Sequence, residues 1–62
     1  MNSNELKRWL AKQGVTFGTQ TGSHLKAYYQ GRQSIVPMHG KKELPQGLVA
    51  VIKKQLGLKD KE

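Results

Sequence analysis

Apolar residues recur at helical spacing near the start of the chain. Leu6, Trp9 and Leu10 form a stripe at intervals of three and four residues, and polar or basic side chains fill the other side. This pattern predicts an amphipathic helix over residues 3–13. Gly14 is expected to follow the last turn, a position where glycine commonly ends helices.

A second helical stripe occurs in the last third of the chain. This helix is expected to begin with Pro45 at its first position, where the missing N–H of proline costs no hydrogen bond. Gly57 is expected to end it, with Leu58 folding back onto the last turn. The predicted inner stripe consists of Leu48, Val51, Ile52, Gln55 and Leu56.

Between the helices the apolar residues alternate, which is typical of strands. Residues 15–19 are expected to form a first strand, and residues 22–39 a hairpin with the loop Gln30–Gln33. Largely apolar side chains alternate onto one face, namely Leu25, Ala27, Tyr29, Val36 and Met38. Mostly polar ones alternate onto the other, namely His24, Lys26, Tyr28, Gln30, Gln33 and His39. The first face needs a cover of helices, whereas the second can stay open.

The loop decides which residues of the hairpin face each other. The loop Gln30–Gln33 places His24 opposite His39, and these are the two histidines of the chain. The same loop points the nitrogen of Pro37 away from the neighbouring strand. Proline has no N–H to donate to a neighbour, so the strand that contains Pro37 is expected at an edge of the sheet. A bulged loop would shift the pairing by one residue and separate the histidines.

The order of these elements predicts an α+β fold with the arrangement α-β-β-β-α. Both helices are expected to cover the apolar face of a three-stranded antiparallel sheet, which gives a two-layer sandwich whose histidine-bearing face is open. A chain of 62 residues is long enough for one small core. We expect residues 1–58 to form the domain and residues 59–62 a solvated tail.

Composition narrows the functions that such a domain can have. Eleven basic residues against four acidic ones give a net charge of +7, which suits nucleic acid or an acidic protein as partner. The chain has no cysteine, which fits a reducing cytoplasm. The few, scattered carboxylates argue against a bound Mg²⁺, and no cofactor is expected. No apolar run approaches the roughly 18 residues of a membrane span.

Four short motifs occur in an order that is fairly specific for a chain of this length. They are Gly22-Ser23-His24, Val36-Pro37-Met38-His39, Glu43-Leu44-Pro45-Gln46-Gly47 and Gln55-Leu56-Gly57-Leu58. Together they resemble the HicA toxin family, also called YcfA-like, over nearly the whole chain. The resemblance implies a fold similar to a double-stranded-RNA-binding domain. It also implies the toxin of a type II toxin–antitoxin system, an mRNA interferase that cleaves mRNA and inhibits translation until a HicB antitoxin covers it.

The resemblance further implies that His24, which follows the Gly-Ser pair, is the catalytic residue. Metal-independent RNA cleavage needs a base that deprotonates a ribose 2′-OH and an acid that protonates the leaving 5′-oxygen. An imidazole, with an ordinary pKa of about 6.5, can serve as either at neutral pH. We therefore expect His24 to be the general acid or base of an endoribonuclease, with His39 as the candidate for a second proton carrier.

Other residues are candidates for holding the RNA. Lys26 can stabilise negative charge that builds up on the phosphate, and Tyr28 can stack on a base. The full set of candidate RNA contacts is Ser23, Lys26, Tyr28, Arg32, Lys41 and Lys42. Each of these could equally be a solvated surface side chain. None of them forms a code for base edges, so weak sequence preference and strong salt dependence are expected.

Two other classes of function fit the same residues. The chain could be a non-catalytic, basic RNA-binding module, or a small adaptor that binds an acidic protein. For the enzyme, the expected partners are mRNA and an acidic HicB-type antitoxin that covers His24. We expect no membrane association and no DNA binding by this chain alone.

Overall fold

The structure is a computed structural model that describes residues 1–58. Its elements in chain order are α1 (Ser3–Lys12), β1 (Thr16–Thr21), β2 (His24–Tyr29), β3 (Arg32–Pro37) and α2 (Gln46–Leu56). The predicted order α-β-β-β-α is confirmed. The expected tail, residues 59–62, lies outside the described residues.

Helix α1 begins with a capping box. The side chain of Asn2 accepts a hydrogen bond from the N–H of Glu5 at 2.8 Å, and the Glu5 carboxylate accepts one from the N–H of Asn2 at 2.9 Å. Two backbone donors that a helix start leaves without partners are thereby satisfied. Glu5 also places a negative charge in the first turn, where the helix dipole favours it.

Helix α2 begins one residue later than predicted. Pro45 has an extended backbone and is the N-cap, not the first helical residue. The inner stripe was also placed wrongly in part, because its buried residues are Val49, Ile52 and Leu56. Val51 is 48% exposed, since it lies about 200° around the helix from Val49 at 3.6 residues per turn.

The end of α2 is as predicted. Gly57 has a left-handed backbone and is the C-cap, and the N–H of Leu58 donates to the carbonyl of Lys53 at 2.9 Å. Leu58 thus folds back and packs against the core. Gln55, expected in the inner stripe, is exposed, but its Oε1 accepts a hydrogen bond from the buried Ser34 Oγ at 2.6 Å.

The strands form one antiparallel sheet in the order β1-β2-β3. Strand β2 is therefore central and β3 lies at an edge, as predicted. Strand β1 extends to Thr21, so Gln20 and Thr21 lengthen it beyond the predicted residues 15–19. Its pairing with β2 is irregular between Phe17 and Gln20.

The register of the β2–β3 hairpin differs from the prediction by two residues. Tyr29 pairs with Arg32, so the turn is Gln30-Gly31, and the expected loop Gln30–Gln33 is wrong. Both turn residues have positive φ, +49° and +80°. This is the property of a type I′ turn, whose twist matches that of the two strands that it joins.

With this register, the expected pairing of His24 with His39 is also wrong, because His24 pairs with Pro37. The N–H of Met38 donates to the carbonyl of Ser23 at 2.6 Å. Hydrogen-bonded and non-hydrogen-bonded pairs alternate, so Pro37 falls in a non-hydrogen-bonded pair and its nitrogen points away from β2. A shift of two residues leaves the side chains within β2 and β3 on their predicted faces, because the side-chain period of a strand is two.

Both helices cover the same face of the sheet, which confirms the two-layer sandwich. The buried cluster takes residues from both helices, from β2 and β3 and from the connections, namely Leu6, Leu10, Val15, Leu25, Ala27, Val36, Leu44, Val49, Ile52 and Leu56. Between the helices, the Lys53 Nζ lies 4.5 Å from the centre of the Trp9 ring. Neither helix within residues 1–58 is long and apolar enough to cross a membrane.

Candidate active site on the open face of the sheet

His24 is the first residue of the central strand. It follows the turn Gly22-Ser23 and pairs with Thr21 on one side and Pro37 on the other. Its side chain is exposed. Because the next residue, Leu25, is buried in the core, His24 projects onto the open face. Backbone pairing on both sides therefore fixes the position of an accessible imidazole at one end of this face.

Lys26 and Tyr28 continue the row that His24 begins. Alternate residues of a strand share a face and follow each other at about 6.6 Å, and both side chains are exposed. Lys26 pairs with Ile35, and Tyr28 pairs with Gln33. The structure thus brings together three of the predicted site residues along one strand, and they supply an imidazole, an ammonium group and an aromatic ring.

His39 does not face His24. Strand β3 ends at Pro37, and the N–H of His39 donates to the Ser3 Oγ at 2.9 Å. The Ser3 hydroxyl in turn donates to the carbonyl of Gly40 at 3.1 Å. The chain thus leaves the sheet towards the start of α1, and the geometric argument that placed the two imidazoles side by side no longer holds. His39 itself is exposed.

Lys41 and Lys42 lie in the loop that connects β3 to α2. This loop leaves the sheet at the end where His24 lies, and it is held against the N-terminal segment. The N–H of Leu44 donates to the carbonyl of Met1 at 2.9 Å, and the N-terminal ammonium group of Met1 forms an ion pair with Glu43. Both lysines are exposed, so their charges are available next to this end of the sheet.

Arg32 lies on the other side of the sheet from His24. Its partner Tyr29 packs against the core, so Arg32 alternates onto the helix-covered side. A Cβ at Gly57 would lie 3.1 Å from the Cδ and Nε of Arg32. The Arg32 side chain therefore lies against the C-terminal end of α2, where the helix dipole favours a cation. The sequence placed Arg32 at a loop tip, but the shorter turn makes it a strand residue.

The positive charge is not concentrated on the open face. Among the strand residues, Lys26 is the basic side chain on that face. Most of the basic residues within 1–58 lie on the helices, namely Lys7, Arg8, Lys12, Lys53 and Lys54. The charge of +7 therefore acts as a field around the whole domain, which attracts polyanions before any specific contact forms.

The open face is a surface and not a cleft. One concavity of about 420 Å³ lies between Met1 and α2, and another of about 490 Å³ lies between β3 and α2. His24 lines neither of them. Small molecules are usually bound in enclosing pockets, so the surroundings of His24 suit an extended polymer better. Within residues 1–58, no three side chains of the metal-ligating types His, Cys, Asp and Glu lie together.

Two contacts near the site were not predicted from the sequence. Pro37 is the cross-strand neighbour of His24, and it was missed because the register was wrong by two residues. Gly18 lies beside the ring of Tyr28, which the alternation of β1 could not show because that strand is irregular. A glycine in the second turn position, Gly31, was the signal that could have given the correct register.

Sequence comparisons connect the chain to proteins of known type. A profile of the family described as "HicA toxin of bacterial toxin-antitoxin" matches residues 3–58. A protein of Pseudomonas fluorescens (strain Pf0-1), named "Probable mRNA interferase HicA", is 50% identical over 60 residues, which cover 97% of this chain and 100% of that protein. A protein of Escherichia coli (strain K12), named "Probable mRNA interferase toxin HicA", is 41% identical over 58 residues, or 94% of this chain and 98% of that protein.

A solved structure gives the same result for the fold. A chain in the crystal structure of the E. coli HicAB toxin–antitoxin complex is similar to this chain with a TM-score of 0.82 and 39% identity. The similarity covers 90% of this chain and 96% of that one. The resemblance that the motifs indicated is therefore confirmed: the chain belongs to the HicA family of bacterial toxin–antitoxin toxins.

Proposed function

We propose that this chain is an endoribonuclease toxin that cleaves mRNA and inhibits translation, with His24 as its general acid–base residue. The observation that carries the proposal is the exposed imidazole at the start of the central strand, on the face that no described element covers. The names of relatives that are 41% and 50% identical over nearly the full length support the reaction class. The reaction is proposed to take place in the cytoplasm, where mRNA is translated.

In the proposed reaction, His24 takes a proton from the ribose 2′-OH. The 2′-oxygen forms a bond to the adjacent phosphorus, and the bond from phosphorus to the 5′-oxygen breaks. The products are a 2′,3′-cyclic phosphate and a 5′-hydroxyl. Because the RNA supplies its own nucleophile, DNA is not a substrate. Lys26, two residues along the same face, is placed to stabilise the negative charge that develops on the phosphate oxygens.

The leaving 5′-oxygen must gain a proton from a second source. His39 stays the candidate from this chain, although it does not pair with His24 across the strands. The alternative donor is water, which reaches the open face freely. The two differ in their consequence: if His39 is the donor, His39→Ala lowers the cleavage rate, whereas a water donor makes that substitution nearly silent.

The decisive experiment compares wild type, His24→Ala and His39→Ala on single-stranded RNA in the presence of EDTA. General acid–base catalysis contributes about 10²–10⁴-fold, so His24→Ala should lower the rate by that factor. Circular dichroism and the melting temperature should stay unchanged, because an exposed side chain is replaced. An RNA with a 2′-deoxy sugar at the cleaved position should resist the wild type.

Cleavage by His24→Ala at the wild-type rate would contradict the assignment of His24. Salt-dependent binding of RNA without any cleavage would instead support a non-catalytic RNA-binding module. Absence of both binding and cleavage would support the third possibility, an adaptor that binds an acidic protein.

The proposed protein partner is an acidic HicB-type antitoxin that covers His24. The similar E. coli chain comes from a HicAB complex, and a charge of +7 favours association with an acidic surface. A partner that binds only the folded toxin also stabilises it by mass action. The antitoxin should abolish cleavage and protect His24 from chemical modification of imidazoles; a tight complex in which His24 reacts as fast as in the free toxin would contradict the covering.

A further inference from the structure

The aromatic ring of Tyr28 meets a glycine of the neighbouring strand at its edge. Thr16 is the direct partner of Tyr28 in β1, and Gly18 is its diagonal neighbour on the same face. A Cβ at Gly18 would lie 2.7 Å from Cε2, 3.3 Å from the hydroxyl oxygen and 3.4 Å from Cζ of Tyr28. The first distance is too short for two carbon atoms, so the ring can lie across β1 only because residue 18 has no side chain.

The ring is supported but not buried. Tyr28 is 37% exposed, although it lies on the face that the helices leave open. The three distances place a Cβ at Gly18 beside the edge of the ring, between Cε2 and the hydroxyl group, and not over a ring face. Gly18 therefore leaves the ring room to lie along β1, and the exposed part of the ring is open to a base that stacks on it.

We propose that Tyr28, supported by Gly18, is a stacking platform for one nucleobase of the bound RNA. This inference rests on the proposed function and adds a binding subsite to it. Stacking on an aromatic side chain tolerates every base, because each base has a π-face, and its loss typically weakens single-strand binding roughly 5- to 150-fold. The platform therefore contributes affinity without adding sequence preference.

The position of the platform indicates which nucleotide it binds. Tyr28 lies four residues after His24 in the same strand, which is about 13 Å at 3.3 Å per residue. A base on Tyr28 therefore belongs to a nucleotide that flanks the cleaved bond, and Lys26 lies between the two points, next to an intervening phosphate. RNA that is too short to reach Tyr28 should gain nothing from the platform.

The test compares two substrates across a set of variants. One substrate is a dinucleotide that contains the cleaved bond, and the other is a single-stranded RNA of about eight nucleotides, within the range of site sizes of single-strand binders. In Tyr28→Leu the ratio of kcat/KM between the long and the short substrate should fall roughly 5- to 150-fold. Tyr28→Phe keeps the ring and should retain most of this ratio.

Gly18→Ala tests the support of the ring. It should lower the same ratio, because the added methyl group displaces the ring, and it should add no further loss when it is combined with Tyr28→Leu. Gly47→Ala is the matched control, since a Cβ at that position in α2 would meet nothing within 4 Å apart from its chain neighbours and the backbone of its own helix. Circular dichroism of each variant checks that the sheet is intact.

Two outcomes would overturn the platform. In one, Tyr28→Leu leaves the ratio at its wild-type value; in the other, it lowers cleavage of both substrates equally, as a merely structural residue would. Binding of a 2′-deoxy, uncleavable form of the long RNA separates this inference from the proposed reaction. Binding that depends on Tyr28 without any cleavage by the wild type would keep the platform and reject the nuclease. Cleavage that does not depend on Tyr28 would keep the nuclease and reject the platform.

Discussion

Val36 and Ile35 are neighbours in β3, yet Val36 is fully buried and Ile35 is 43% exposed. The same contrast runs along β2, where Leu25 and Ala27 belong to the core. On the opposite face of β2, His24 and its row of alternate residues stay in solvent. The two faces of one sheet thus have different roles, and the backbone pairing between the strands is what they share.

Because of this difference, substitutions on the two faces should affect different properties of the protein. Side chains on the covered face are fixed by packing against two helices, so a substitution there acts mainly on the free energy of unfolding. Side chains on the open face bury less of their area, so a substitution there costs the fold less and leaves more surface available to a ligand. A 62-residue chain can therefore combine a small core and a broad open surface, because β2 and β3 contribute side chains to both.

The sharpest test of the contrast uses the two adjacent residues of β3. Val36→Ala removes two buried methyl groups and should lower the free energy of unfolding by about 2–3 kcal/mol, from about 0.8 kcal/mol per group plus the cavity that is left. Ile35→Ala removes more carbon from the same strand but should cost only about 1–1.5 kcal/mol, because 43% of this side chain is already exposed and its loss leaves no closed cavity. Urea denaturation of both variants measures the two losses in free energy of unfolding. Equal losses would contradict the contrast between a covered and an open face.

The second test concerns the two buried serines, which connect different parts of the fold. Ser3→Ala leaves the N–H of His39 and the carbonyl of Gly40 without their partner and should cost about 1–3 kcal/mol. Ser34→Ala releases only the side chain of Gln55, which is exposed and can turn to water. Its cost should be smaller, about 0.5–1.5 kcal/mol.

The comparison of the two serines also bears on the loop with Lys41 and Lys42. If Ser3 holds this loop in place, Ser3→Ala should increase amide hydrogen exchange in residues 39–44 more than Ser34→Ala does. Unchanged exchange in this loop would mean that the contact of Met1 with Glu43 and Leu44 is sufficient to hold it.

The division of the sheet into two faces could be predicted from the sequence, whereas the register could not. Alternation assigns Leu25, Val36 and their neighbours to one face whichever partners they have, because the assignment depends only on odd and even positions. The error of two residues in the hairpin preserved those positions, so His24 still lies on the open face. The supposed partnership of His24 with His39 did depend on the register and was wrong.

The sequence pattern also could not show which side of α2 faces the sheet or where the basic residues lie. Val51 and Val49 are both apolar, and only the direction from which the sheet approaches α2 decides that Val49 is the buried one. Arg32 follows the turn, so its face depends on how short the turn is. Composition gave the net charge but could not show that most basic residues of the described part lie on the helices and not beside His24.

The turn that sets the register offers the test with the smallest effect. Gln30 has a φ of +49°, a conformation that Asn adopts more readily than Gln and that a type I′ turn requires at both central positions. Gln30→Asn should therefore raise the free energy of unfolding by about 0.5–1 kcal/mol, a part of the 1–2 kcal/mol that left-handed backbone typically costs. The measurement is the shift of the urea midpoint at constant slope.

Gln33→Asn is the matched control for this turn. Gln33 is the second residue of β3 and pairs with Tyr28, where Asn is a poor strand former, so the substitution should be neutral or slightly destabilising. If the loop instead spanned Gln30–Gln33, both positions would be loop positions, and the two substitutions should have similar effects. A gain at Gln30 with none at Gln33 therefore supports the two-residue turn, and with it the placement of Pro37, rather than His39, across from His24.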